Sequence, residues 1–298
     1  MDDFKTKLLL LHHCRGIGWK MMYIILREDP ILDGLYTKKL QDWHFLFPHV
    51  KSNQLSLFFQ DLHSIDISQK IKQYEENDVL ILTCFDDLYP KRLKHIYNPP
   101  WVLYMKGNLN LLREKRALAV VGMRQATPYG KEAIQKLLPP LIKEGYVIIS
   151  GMAAGIDTFA HRIAVEREGS TIAVLGGGLF HIYPKDNTAL ALKMMKEQLV
   201  LSEYPPFMKP ERWMFPMRNR LISGLSAGVL VVEAKEKSGS LITAQHALEQ
   251  GKEVFAVPGK ITDMSSEGTN FLIQEGAKLV LQYKDIISEM DSYLLFDK

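Results

Sequence analysis

Cysteine is scarce. The 298 residues hold two, Cys14 and Cys84, far apart and without C-x-x-C spacing, which argues against a disulfide framework or a zinc site and agrees with a reducing compartment. Both read as packing residues. Long hydrophobic runs are missing too: stretches such as Val229–Val232 stop far short of the roughly 20 residues of a membrane helix, so no membrane partner is expected. At the N-terminus only Leu8–Leu11 is apolar, and Asp2 and Asp3 precede it. That is the wrong charge and length for a signal peptide, so a cytoplasmic location is expected. Nor does one sign of charge prevail. Thirty-seven basic against 34 acidic residues leave +3, which neither announces nor excludes a polyanionic partner. The positions of the basic residues have to decide.

What is present suits a globular fold, since 47% hydrophobic and 24% charged residues suffice to bury a core in one large or two smaller domains. Residues 1–66 are rich in Leu, Phe, His, Gln and Ser at helical spacing and predict a small helical module. Within it, Arg15-Gly16-Ile17-Gly18 lies between apolar stretches, as in helix-hairpin-helix modules whose hairpin N–H groups touch DNA phosphates. A hairpin used only for packing or for protein contact fits that pattern equally well. From Asp78, short apolar runs at Val79–Thr83 and Trp101–Met105 predict strands.

From Ala117 strands and helices alternate. Strands are expected at Ala117–Val121, Tyr146–Ser150, Thr171–Leu175, Leu199–Ser202, Val229–Glu233 and Glu253–Val257, with helices between them and a last helix near Asn270–Gln274. Thr127–Pro128 reads as an N-cap followed by proline at the first helical position, and Pro139–Pro140 should kink or divide the helix that follows. Short strands alternating with helices predict a doubly wound, mostly parallel α/β sheet covered on both faces.

Ligands of such sheets bind beyond the carboxyl ends of the strands. The residues there are Gly122-Met123-Arg124, Ser150-Gly151-Met152-Ala153-Ala154-Gly155, Gly176-Gly177-Gly178, Glu203-Tyr204-Pro205-Pro206 and Pro258-Gly259. Any one glycine there suits a tight turn. Three glycine-bearing loops on one rim, each leading toward a helix N-terminus, favour phosphate. Arg124, Lys185, Arg218 and Arg220 supply cations, each with a bland alternative as a surface charge, and Phe180 offers a ring on which a base could stack. Tyr183, beside Pro184, is expected to pack under its own loop.

No G-x-x-x-x-G-K-[ST] occurs, and Gly176-x-Gly178 continues to His181 where a dinucleotide fingerprint wants glycine. ATP hydrolysis and NAD chemistry lose support, and no cofactor or metal site is expected. Asp157 and His161 share i, i+4 spacing, but Asp157 is placed to cap a helix from Thr158 and His161 to bond nearby backbone. Glu203 and Glu233, with no nucleophile at hand, read as groups that orient basic side chains.

The ordered motifs resemble one family, DNA-processing protein A (DprA, also called Smf) of bacterial natural transformation. They are Val120-Val121-Gly122-x-Arg124, Ser150-Gly151-x-Ala153-x-Gly155-Ile156-Asp157, Ala173-Val174-Leu175-Gly176-Gly177-Gly178-Leu179, Ile182-Tyr183-Pro184-x-x-Asn187, Ser202-Glu203-Tyr204-Pro205-Pro206 and Phe215-Pro216-x-Arg218-Asn219-Arg220. Ser238-Gly239-Ser240, Val257-Pro258-Gly259 and Gly268-Thr269-Asn270 continue the series to about residue 280.

The resemblance implies a SAM-like helical module over residues 1–66 and an extended Rossmann-like domain over 67–298. It also implies a non-enzymatic homodimer that binds single-stranded DNA without sequence preference and loads the RecA recombinase onto it. Arg124 and Lys185 would lead the DNA contacts, with Gly122, Ser150, Gly151, Gly155, Gly176, Gly177 and Gly178 holding phosphates. Phe180, Asn187, Arg218, Asn219 and Arg220 would complete the rim. Met123 stands where relatives usually have Ser and Ala154 where Arg is frequent, which implies weaker binding. With the chain ending soon after Val280, the winged-helix module that some members carry is not expected.

Two rivals remain open. A Rossmann-like nucleotide N-glycosidase resembling phosphoribohydrolases would want a P-G-G-x-G-T loop where this sequence has Ser238-Gly239-Ser240. An adaptor would present the same basic rim to an acidic protein.

Overall fold

The computed structural model describes residues 2–296, and the side chains of residues 2–291. The chain divides into two compact units, one made of Met1–Asp86 with Pro100–Leu103, the other of Asp87–Pro99 and Tyr104 onward.

The first unit holds five helices, α1 (Asp3–His13), α2 (Trp19–Glu28), α3 (Leu40–Leu46), α4 (Ser52–Ser64) and α5 (Ile67–Glu76), and strand β1 (Leu80–Thr83). Leu8, Leu9, Leu10 and Leu11 are all buried, so α1 is wrapped on every side. The turn after α1 is clamped by α4. Asp61 accepts from the Arg15 backbone N–H at 2.8 Å and from its Nε and Nη2 at 2.9 and 2.7 Å, and Gln54 Nε2 donates to the Gly16 carbonyl at 2.5 Å. Of the two hairpin readings, packing describes Arg15 and Gly16. Cys14 is buried and its thiol is pushed up to about 12 by that burial, in keeping with a packing residue.

The second unit is built on β2 (Val102–Gly107, whose first two residues cluster with the first unit), β3 (Ala117–Val121), β4 (Val147–Ser150), β5 (Thr171–Leu175), β6 (Leu199–Ser202), β7 (Gly228–Val231), β8 (Glu253–Ala256) and β9 (Lys278–Leu279). Its helices are α6 (Lys91–Lys94), α7 (Pro128–Lys143), α8 (Ile156–Glu166), α9 (Thr188–Glu197), α10 (Met214–Leu225), α11 (Gly239–Glu249), α12 (Glu267–Gln274) and α13 (Tyr283–Phe296). The strand order is β2-β6-β5-β4-β3-β7-β8-β9, with β2 antiparallel to β6 and every other pair parallel. The expected doubly wound sheet is there. From β3 the chain builds outward to β6, then returns to lay β7 against the free side of β3. The order reverses there, and the crevice beyond β3 and β7 is where an open α/β sheet takes its ligand.

With the right-handed crossovers that parallel strands favour, α7, α8 and α9 fall on one face of the sheet and α11 and α12 on the other, and α7 packs on α8 and α13 while α10 packs on α11. Leu118 and Val120 of β3, Ile148 of β4, Leu230 of β7 and Phe255 of β8 pack with Ile134, Leu138 and Leu141 of α7, and with Ile286 and Met290 of α13. Thr127 caps α7 by accepting the Gly130 N–H, and Pro128 opens it. Pro139 and Pro140 do not divide α7, which runs for 16 residues. The carbonyls they deprive of partners belong to Gln135 and Lys136, both exposed and open to water, while the buried Ile134, Leu137, Leu138 and Leu141 hold the helix to the sheet. Strand β9 and helix α13 had no expectation in the sequence. Among the described residues no helix is long and apolar enough to cross a membrane.

Candidate nucleic-acid interface

The loops after β3 and β4 meet backbone to backbone. Gly155 has φ +77°, and a Cβ on it would lie 2.2 Å from the Met123 carbonyl oxygen, which also accepts the Ile156 N–H at 3.2 Å. Only glycine suits that position. Glu233, at the end of β7, is buried and accepts the Thr127 N–H at 3.0 Å as well as the Thr127 hydroxyl. It was expected to orient a basic side chain, and instead it fixes the start of α7.

Helix α8 begins at Ile156, so Asp157 lies inside its first turn and does not cap it. Its carboxylate accepts the Gly151 and Ala153 N–H groups at 3.1 and 3.4 Å. Burial raises Asp157 to about 6, against the opposing pull of Arg218 and those two N–H groups. His161 is fully buried, and burial depresses it to about 3. Its Nδ1 lies 2.7 Å from the Thr171 hydroxyl, which spends its own proton on the Ile148 carbonyl, so the imidazole donates. Both groups tie elements together, and His161 does so through the Thr171 hydroxyl and through the Ser150 backbone, the kind of partner that was expected.

Several residues expected on the rim turn inward. Ser150 Oγ donates to the Val120 carbonyl at 2.6 Å. Asn187 is buried, and its Nδ2 donates to the Met152 carbonyl at 2.8 Å and the Thr158 hydroxyl at 2.7 Å, stitching the segment before α9 to the loop before α8. Arg218, only 5% exposed, donates through Nη1 to the carbonyls of Gly151, at 2.6 Å, and of Val174. Its guanidinium lies against Gly151, where a Cβ would come within 2.5 Å of Nη2. Burial lowers it to about 10, so it is still a cation at neutral pH. Arg220, equally buried, pairs through Nη2 with both carboxylate oxygens of Glu203 at 2.5 and 2.7 Å, the orienting role expected of Glu203.

The Gly176–Gly178 loop is buried as well. A Cβ on Gly176 would meet the Phe215 ring at 2.7 Å, one on Gly177 would meet Pro210 at 2.8 Å, and one on Gly178 would lie 2.3 Å from the Pro205 carbonyl oxygen. The Gly178 N–H donates to the Met208 carbonyl at 2.8 Å. These glycines admit other parts of the protein, and the open phosphate cradle expected from them is filled by the Pro205–Pro210 segment and Phe215.

What stays at the surface is a smaller set of cations and rings. Arg124 and Lys185 are exposed, and Gly122, Phe180 and Asn219 are partly so. The Arg124 guanidinium lies 6.0 Å from the centre of the Phe215 ring, and Tyr183 packs against the same ring, tilted, with centres 5.7 Å apart. Tyr183 is 56% exposed. Phe215, from a helix about 30 residues further on, already fills the space over Gly176, so Tyr183 does not pack under its own loop. Phe180 pairs with Phe207 at 4.8 Å and receives Lys106 Nζ at 5.9 Å. Sequence reading missed Phe215, Phe207 and Lys106 as members of this surface. Phe207 follows Pro205-Pro206 soon after the end of β6, a signal that was present, whereas Phe215 stands beside Pro216 in the first turn of α10.

These features define a Rossmann-like α/β protein whose carboxyl edge carries exposed cations interleaved with aromatic rings, and among the described residues no cluster of His, Cys, Asp or Glu suits a metal ion. The chain belongs to the DNA recombination-mediator protein A family, whose model matches residues 80–291. It is 46% identical to the DNA processing protein DprA of Bacillus subtilis over 238 residues, which cover 80% of this chain and 78% of that one. With the DprA of Streptococcus pneumoniae identity is 44%, covering 79% and 82%. The X-ray structure of DNA processing protein A from Streptococcus pneumoniae superposes with a TM-score of 0.84 at 37% identity, covering 97% of this chain and 99% of that one. A Helicobacter pylori structure, concerned with the single-stranded DNA binding mode of DNA processing protein A, gives 0.65 at 32% identity, covering 72% and 96%.

Proposed function

We propose that this chain binds single-stranded DNA without sequence preference at the carboxyl edge of its sheet and, as a homodimer, loads it with a RecA-type recombinase. The observation that carries the reading is the Arg124–Phe215–Tyr183 group beside the β3/β7 crevice. A cation for phosphate lies against rings of which Tyr183 is half exposed, and every base has a face that stacks on such a ring. The single-stranded DNA binding mode named for the Helicobacter pylori relative supports it.

Arg124 and Lys185 are the leading phosphate contacts, with Phe180, Asn219 and the Gly122 backbone beside them. Ser150, Gly151, Gly155, Asn187, Arg218 and Arg220 act one layer below, holding the loops that carry those groups. Gly176, Gly177 and Gly178 serve by admitting the Pro205–Pro210 segment and Phe215. No bond is made or broken in this activity, and Asp157 and His161 are spent on structure. Titration of a labelled oligo-dT with the parent chain and the Arg124→Ala and Lys185→Ala variants tests the reading. Both variants bind more weakly on every sequence, and equal binding by all three overturns it.

A further inference from the structure

The first unit carries a second aromatic surface that the carboxyl edge does not use. Trp19 stacks on Tyr23 with ring centres 5.5 Å apart and planes 10° from parallel, and on Trp101 at 5.2 Å and 23°. Trp101 in turn faces Phe85 at 6.4 Å and 23°, and Phe4 closes the far end edge-on at 5.1 Å. Four near-parallel rings therefore run from Phe85 to Tyr23. One end is blocked by Phe4, and at the other Tyr23 is 46% exposed. Among the described residues no further ring covers its outer side.

Cations flank that open end. Lys20, Tyr23 and Arg27 stand at i, i+3 and i+7 of α2, and Trp19, Tyr23 and Arg27 at i, i+4 and i+8, so rings and charges share one helical face. Lys20 and Arg27 are exposed, and the first turn of α2 holds no acidic residue. Arg27 lies 3.1 Å from the Glu28 carboxylate, but both side chains are at least half exposed, and so open a pair exchanges readily for a phosphate. Packing does not require this arrangement: the buried residues of α2 are Met21, Met22 and Ile25, on its other side.

We infer that the Trp19–Tyr23 face of α2 is a second site for single-stranded nucleic acid, in which a base extends the ring stack on Tyr23 while Lys20 and Arg27 neutralise the flanking phosphates. An unpaired strand fits because its bases are free to stack on a ring irrespective of sequence, whereas duplex bases are already stacked on one another. The inference rests on the DNA-binding reading above but names different residues.

The test uses the full chain, oligo-dT carrying 5-iododeoxyuridine, ultraviolet crosslinking and tryptic digestion. The peptide Met21–Arg27 becomes labelled by the single strand and not by the duplex. It stays labelled in the Arg124→Ala/Lys185→Ala double variant and in Tyr23→Phe. Labelling falls at least threefold in Tyr23→Ala, and also in Lys20→Glu/Arg27→Glu, where Tyr23 is still present to be labelled and is released by trypsin on the longer peptide Gly16–Lys38. Absence of label on that peptide in the parent, equal labelling by duplex, or full labelling of Lys20→Glu/Arg27→Glu overturns the second site. Loss of label from Met21–Arg27 in the double variant does so too. A parent chain that binds oligo-dT and labels only peptides of the second unit sinks this inference alone, whereas failure to bind oligo-dT at all sinks both readings.

Discussion

Arg218 donates to the Gly151 carbonyl at 2.6 Å, so a cation carried by α10 fixes the loop that follows β4. Three residues earlier in the same helix, Phe215 turns its ring toward Arg124 at the surface. One stretch of chain therefore supplies a support and a contact.

That division separates two kinds of arginine variant. Arg124→Ala removes an exposed side chain and changes stability by no more than about 0.5 kcal/mol, while weakening DNA binding. Arg218→Ala leaves the Gly151 and Val174 carbonyls short of a donor, costing about 1–3 kcal/mol for each group left unsatisfied. Arg220→Ala strands the Glu203 carboxylate, whose side chain is 14% exposed, at a cost of about 3–5 kcal/mol. Urea unfolding with parallel binding titrations checks the order. An Arg218→Ala chain as stable as the parent contradicts the supporting role.

Salt dependence counts the phosphate contacts. On single strands each contact adds about 0.7 to the slope of log affinity against log salt, so losing Arg124 or Lys185 lowers the slope by about that much. Oligo-dT titrations between low and moderate salt measure it, and an unchanged slope in both variants contradicts the assignment.

Glycine variants distinguish close approach from simple turns. Gly178→Ala drives a Cβ to 2.3 Å from the Pro205 carbonyl oxygen, and backbone on both sides leaves little room to yield, so a loss of at least about 1–3 kcal/mol is expected. Gly239→Ala, in the first turn of α11 with nothing within 4 Å of the new Cβ, keeps or slightly raises stability. Thermal melts of the two side by side give the comparison.

The first unit should be acid-sensitive through His13. Its Nδ1 lies 2.7 Å from the Leu9 carbonyl and its Nε2 2.8 Å from the Tyr74 hydroxyl, and burial lowers it from the ordinary 6.5 to about 4. A histidine with a depressed folded value takes up a proton on unfolding anywhere between those two pH values. Its contribution to stability is thus complete above about pH 6.5 and is lost as the pH falls toward 4. The imidazole resonances of His13 in the folded chain should stay those of the neutral ring at pH 5.5, and a titration midpoint near 6.5 contradicts the assignment.

Much of this was legible in the chain itself. Apolar runs of four or five residues such as Ala117–Val121 and Thr171–Leu175, separated by helical stretches, determine buried parallel strands, because only a sheet covered on both faces hides every residue of such a run. Arg124, directly after β3, had to reach the carboxyl edge once that strand existed. Arg218 and Arg220 were not legible in the same way. They read as surface cations, and only the rotation of α10 against β3, β4 and β5 turns them inward. A trace was there, since Met214, Arg218, Leu221 and Leu225 follow the i, i+4, i+7, i+11 spacing of a buried stripe.

The glycines show the same limit. Sequence determines that Gly176, Gly177 and Gly178 permit a close approach. What approaches is set by the Pro205–Pro210 segment and Phe215, nearly 30 residues or more away, and a missing side chain leaves the same space for a phosphate as for a ring. The run of rings from Phe85 through Trp101 and Trp19 to Tyr23 likewise joins three distant segments, and no local periodicity aligns their planes. Local apolar patterning set the central strands and helices, their order along the chain and the residues at the strand ends, but not β9 or α13. The tertiary structure decided which of those residues face solvent, because burial depends on what distant segments bring against them.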